Sequence, residues 1–135
     1  MTAKITYEGA LRCTCEHLQS GSIIETDAPT DNFGKGERFS PTDSVCVALA
    51  TCIITTMGIH GRKLNVELAG STLEVTKHMV SDPRRIGKIE VILHLITALP
   101  IDQETKNKMQ AIGDNCPVML SLHPDIVKSV TYRWE

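Results

Sequence analysis

The chain has 135 residues, of which 41% are hydrophobic and 22% charged, so it can build a core as a single domain over 1–135 and is too apolar to be disordered. A formal net charge of −2 and an aromatic content of 4% exclude a basic surface for nucleic acid or an anionic membrane, and a stacking surface for bases. Five cysteines are an odd number for a secreted disulfide framework, and no signal-peptide pattern opens at Met1, so the reading is a cytoplasmic protein with reduced thiols.

In chain order, Ile5, Tyr7, Gly9, Leu11, Cys13 and Cys15 alternate with polar residues, which predicts one strand with a single buried face. A turn at Gln19–Ser22 returns the chain into a second strand at Ile23–Thr26. Residues 27–39, rich in Gly, Pro, Asp and Asn, form a loop. Ser40-Pro41-Thr42-Asp43 then starts a helix: Ser40 can cap it, Pro41 suits the first helical position, and Asp43 can close a capping box. From Val45 to Ile59 the sequence is apolar almost all round, which predicts a central helix covered on every side. Its uncharged stretch, 44–59, is too short to read as a membrane span.

Strand-like residues follow at 64–68 and 73–79, then a turn at 82–87 and a hairpin partner at 89–96. Asp102 to Gly113 reads helical, with Met109 and Ile112 buried and Glu104 and Lys108 as an exposed pair. Asn115-Cys116-Pro117 opens a short helix to about Leu122, and 126–134 is a closing strand. The order β-β-α-β-β-α-α-β is an α+β domain. Two short sheets can hardly cover an apolar helix on all sides, which points to a homodimer packing it against its twin.

Two cysteines invite chemistry. Cys52 in the apolar helix reads by itself as core filler, with a buried nucleophile as the sharper alternative. Cys116 lies at a helix start, where it reads either as a small residue beside the cap or as a thiol whose thiolate free N–H groups would stabilise. Their spacing alone does not pair them. Cys46 reads as packing. Cys13, Cys15 and His17 share a strand face that a metal could use, but core filler explains the sulfurs, and no metal or other cofactor is expected.

The segment Gly36-Glu37-Arg38-Phe39-Ser40-Pro41-Thr42-Asp43, the run Ala48-Leu49-Ala50-Thr51 leading to Cys52, and the late Cys116-Pro117-Val118 together resemble the OsmC/Ohr family. The resemblance implies an intertwined homodimer and a thiol peroxidase. Cys52 would attack an organic hydroperoxide and become a sulfenic acid, Cys116 would condense with it to a disulfide, and an external dithiol would reduce that disulfide. Peroxidase members assist the reactive cysteine with an Arg and a Glu, and here Gln19 and Thr42 stand nearest those places. Arg38 and Asp43 are the candidate substitutes, each with a plainer reading as a loop arginine and a capping acid. This departure keeps open a non-catalytic dimer that binds a small apolar or thiol-reactive ligand.

Overall fold

The computed structural model describes residues 1–135. It has the expected α+β class, with six strands in two sheets and three helices. The chain forms two compact units, Met1–Val45 and Cys46–Glu135.

In the first unit, β1 (Ala3–Gly9), β2 (Arg12–His17) and β3 (Ile23–Asp27) form an antiparallel sheet in that order. The single strand expected over the first alternating stretch is therefore two strands. Gly9 pairs with Arg12 across a two-residue turn, and both turn residues have positive φ (Ala10 50°, Leu11 62°). Hairpin turns of this kind normally use Asn and Gly. The alternation hid the turn because Tyr7 pairs with Cys13 and Ile5 with Cys15: the odd-numbered residues of both strands share one face. That face, which also carries Ile24 opposite Cys15, is apolar and open. Ile5, Tyr7 and Ile24 are 62–65% exposed. The following loop folds back tightly: a Cβ at Gly34 would lie 1.7 Å from the Ala28 carbonyl oxygen, so only glycine fits.

Helix α1 (Pro41–Gly61) begins in the first unit and continues into the second. Its start is as expected: Ser40 N–H donates to Asp43 Oδ2 at 2.9 Å, and Asp43 N–H donates to Ser40 Oγ at 3.0 Å, a reciprocal capping box.

In the second unit β4 (Thr72–Val80) and β5 (Arg85–Leu95) pair antiparallel. The chain then crosses through α2 (Gln103–Asp114) and α3 (Pro117–Ser121) to β6 (Val127–Trp134), which lies parallel to β5, the long connection that parallel pairing requires. Alternate residues Ile89, Val91, Leu93 and Leu95 of β5 join Leu49, Ile53 and Met57 of α1 and Met109 of α2 in one core.

Two further expectations are corrected. Residues 64–68 form no strand: a 3₁₀ turn at Arg62–Leu64 precedes a loop in which Val66 and Leu68 are still buried, so the alternation records burial without a pairing partner. Ile112 is only half-buried. As expected of two short sheets, one chain covers α1 on one side only. Ala48, Thr51, Thr55 and Ile59 remain exposed at i, i+3, i+7 and i+11, a single stripe along the helix. The helical stretch Pro41–Leu64 is long and apolar enough to cross a membrane by composition, but Leu49, Ile53 and Met57 are wholly buried among core residues.

Candidate functional site

Cys52 lies in mid-α1, and Cys116 is the N-cap residue of α3. Pro117 fits the first position of α3 because its missing N–H is one that the helix would leave unbonded. This start turns the next amides toward sulfur. Met119 N–H donates to Cys116 Sγ at 3.4 Å, Val118 N–H donates to the Cys52 sulfur, and the two thiols are within hydrogen-bond reach of each other. Thr56, one turn beyond Cys52, places its Oγ1 3.9 Å from Cys52 Sγ. Both thiols are free.

The electrostatics separate the two sulfurs. Burial pushes each thiol up, since a thiolate is poorly solvated in the interior. At Cys52, donation from the Val118 N–H, the Cys116 thiol and the Thr56 hydroxyl outweighs burial and holds the thiol below its ordinary value. At Cys116, burial outweighs the Met119 N–H, and the neighbouring Cys52 adds to the rise. The helix-start amides expected beside Cys116 serve both sulfurs, Met119 N–H at Cys116 and Val118 N–H at Cys52. In the structure the Cys52 thiol is held low and the Cys116 thiol, within hydrogen-bond reach of it, is held high. Such a pair can do nucleophilic chemistry at Cys52 and offer a second thiol in waiting at Cys116.

Arg38 and Asp43 lie in the first unit. Arg38 Nε donates to Glu25 Oε2 at 2.7 Å, its Nη1 donates to the Glu37 carbonyl at 3.1 Å, and its side chain is half exposed. Asp43 closes the capping box. Both line a cavity of about 430 Å³ with Glu25, Gly36, Glu37 and Phe39. Gln19 is an exposed turn residue, and Thr42 Oγ1 lies 3.2 Å from Ser40 Oγ.

Sequence reasoning missed the strongest ion pair of this unit. Arg12 Nε and Nη2 hold Asp27 Oδ1 and Oδ2 at 2.7 and 2.8 Å, with Glu37 Oε2 3.4 Å from Nη2. The bidentate contact holds the Asp27 carboxyl below the usual carboxylate range, against the opposing effect of burial. No local pattern announces it, because the partners meet only through the β2–β3 register, where Arg12 faces Asp27. Thr56 was legible as the i+4 neighbour of Cys52. The Val118 amide was not, since it depends on how α3 meets α1. Cys13 and Cys15 do share a face with His17, as expected, but His17 Nδ1 is taken by Ser20 Oγ at 2.6 Å, and no three potential ligands converge to hold a metal.

Residues 34–130 match the model of the OsmC-like protein family. No curated protein matches the sequence. A crystal structure described as an osmotic stress induced and detoxification response protein from Psychrobacter arcticus 273-4 is 43% identical, with a TM-score of 0.93 over 98% of this chain and 96% of that one. An organic hydroperoxide resistance protein OsmC from Legionella pneumophila (14% identity, TM-score 0.71, 98% and 97% covered) and the organic hydroperoxide resistance protein OhrB of Bacillus subtilis (17%, 0.63, 98% and 98%) share the fold.

Proposed function

Because the chain belongs to the OsmC-like protein family, we propose that it is a thiol-dependent peroxidase that reduces organic hydroperoxides. The observation that carries this reading is the asymmetric pair: a Cys52 thiol held low by three donors, within hydrogen-bond reach of a Cys116 thiol held high. Similar folds in proteins named for organic hydroperoxide resistance support a redox role. The Cys52 thiolate attacks the terminal peroxide oxygen and breaks the O–O bond. Cys52 becomes a sulfenic acid, and the alkoxide leaves as an alcohol after taking a proton. The Cys116 thiol then condenses with the sulfenic acid, forming the disulfide and releasing water. An external dithiol reduces the disulfide and is itself oxidised to a disulfide.

The low Cys52 thiol favours this reading over a non-catalytic ligand-binding dimer, which calls for a thiol of ordinary acidity. Arg38 and Asp43 enter it with smaller parts. Each already has a local partner, in Glu25 and Ser40, so the reading places thiolate stabilisation on Val118, Cys116 and Thr56. The working form is a homodimer in the cytoplasm, in which a second copy covers the open faces around Ile5, Tyr7 and Ile24 and along Ala48, Thr51, Thr55 and Ile59.

The test is consumption of cumene or tert-butyl hydroperoxide with a dithiol reductant. Cys52→Ser should slow it by more than about a hundredfold, as loss of a nucleophile does. Cys116→Ser should allow one turnover and then stall. Equal activity in Cys52→Ser and the parent would refute the assignment.

A further inference from the structure

The joint between α2 and α3 carries two residues that local rules disfavour. Gly113 lies in the last turn of α2, where glycine is a poor helix former. Asp114, the last helical residue, sets a carboxylate at the negative end of the helix dipole, where a cation is favoured, and that turn contains no basic residue. Both choices make sense against one side chain of β6. A Cβ at Gly113 would lie 2.6 Å from the Tyr132 phenol oxygen, so glycine lets the phenol reach the helix end. Tyr132 then donates its proton to Asp114 Oδ1 at 2.8 Å, with the Gln110 carbonyl 3.3 Å away as a second acceptor. Burial and the Asp114 carboxylate keep the phenol protonated. Tyr132 is anchored in the sheet opposite Leu93 of β5.

Cys116 hangs from the same joint. Its N–H donates to the Gly113 carbonyl at 3.2 Å, and Asn115 N–H to the Ile112 carbonyl at 3.2 Å. The joint is short, so freedom at Gly113 and Asp114 passes directly to the Cys116 sulfur. Sequences that break local rules at a point usually do so for a purpose elsewhere in the fold.

We propose that Tyr132, through Asp114 and Gly113, is the positioning residue for Cys116, fixing its thiol beside Cys52 so that the Cys52 sulfenic acid closes to the disulfide before a second hydroperoxide reaches it. The proposal rests on the peroxidase reading above. In the productive branch the sulfenic acid and the Cys116 thiol form one S–S bond and one water. In the damaging branch the sulfenic acid takes an oxygen from a second hydroperoxide, which leaves as alcohol, and becomes a sulfinic acid that thiols do not reduce.

The experiment is a series of cumene hydroperoxide pulses on the full chain without reductant. Intact mass resolves disulfide (two hydrogens lost) from sulfinate (two oxygens gained), and stopped flow follows the first oxidation of Cys52. In Tyr132→Phe the first oxidation should slow no more than in Cys116→Ala, which lacks the Cys116 donor outright, while the sulfinate-to-disulfide ratio rises about fivefold, the effect of losing one ordinary hydrogen bond. Asp114→Ala, at an exposed position, should do the same should Tyr132→Phe fail to fold. Asp114→Asn, which keeps an acceptor for the phenol, should stay near the parent ratio. A first oxidation slower than that of Cys116→Ala marks a general loosening and overturns the positioning role. An unchanged ratio in both Tyr132→Phe and Asp114→Ala overturns the positioning role alone. A parent whose Cys52 resists hydroperoxide overturns the peroxidase reading and this proposal with it.

Discussion

Between Met1 and Val45 the only buried residues are Asp27 and Ser40, both polar, whereas every buried apolar side chain lies between Cys46 and Cys116. Both units hold a three-stranded sheet, yet their sheets are used differently. In the second unit alternate residues of β5 are sealed under α1 and α2. In the first, the apolar face of β1, β2 and β3 is open, and order comes from the Arg12–Asp27 fork, the capping box and a tight loop. Burial of apolar surface is the main favourable term in folding. A sheet that leaves such a face open in one chain would gain stability from covering it, which is the physical basis for proposing a dimer. The thiol pair sits in the unit whose sheet is already covered by its own helices.

This contrast can be broken at several points. The largest expected effect is in the second unit: Ile53→Ala should cost about 2–5 kcal/mol, as deletions in packed cores do, measured by urea unfolding. Next, Tyr7→Glu should convert a dimer into a monomer in sedimentation velocity and leave the helical circular dichroism of the second unit intact. A Tyr7→Glu protein that unfolds altogether would show that the first unit is not the dependent one. Thr56→Val, which removes one of three donors to Cys52, should raise the pH midpoint of iodoacetamide alkylation at Cys52 by several tenths of a unit, about the effect of one weak hydrogen bond. The smallest effect is acid sensitivity. The Asp27 carboxyl is lowered in the folded chain, chiefly by its hydrogen bond from Arg12, so the unfolded chain binds the proton more readily. The resulting stability is present above the ordinary carboxylate value and is lost as pH falls through the depressed one. Asp27→Asn should flatten that part of the stability profile.

Much of this was legible in the residues. Ser40-Pro41-Thr42-Asp43 encodes the start of α1 within four positions, and Asn115-Cys116-Pro117 does so for α3, because caps are local chemistry. The pair Glu104–Lys108, observed at 2.8 Å, follows from helix spacing alone. What failed was non-local or masked. The β1–β2 turn uses Ala10 and Leu11 at positive φ, residues that give no turn signal, and alternation continues through it. Val66 and Leu68 alternate like a strand but have no neighbour to pair with. At the site, the family resemblance paired Cys52 with Cys116, but only the packing of α3 shows that its amide serves Cys52. The Asp114–Tyr132 contact joins a helix end to a strand far along the chain, beyond the reach of any local pattern.

The most direct test of the thiol-pair account is peptide mapping after a single equivalent of cumene hydroperoxide on the fully reduced chain. The account predicts one disulfide, Cys52 to Cys116, with Cys13, Cys15 and Cys46 still alkylatable once the protein is unfolded. A disulfide that bypasses Cys116, or a Cys52 that emerges unoxidised while another cysteine has reacted, would contradict it.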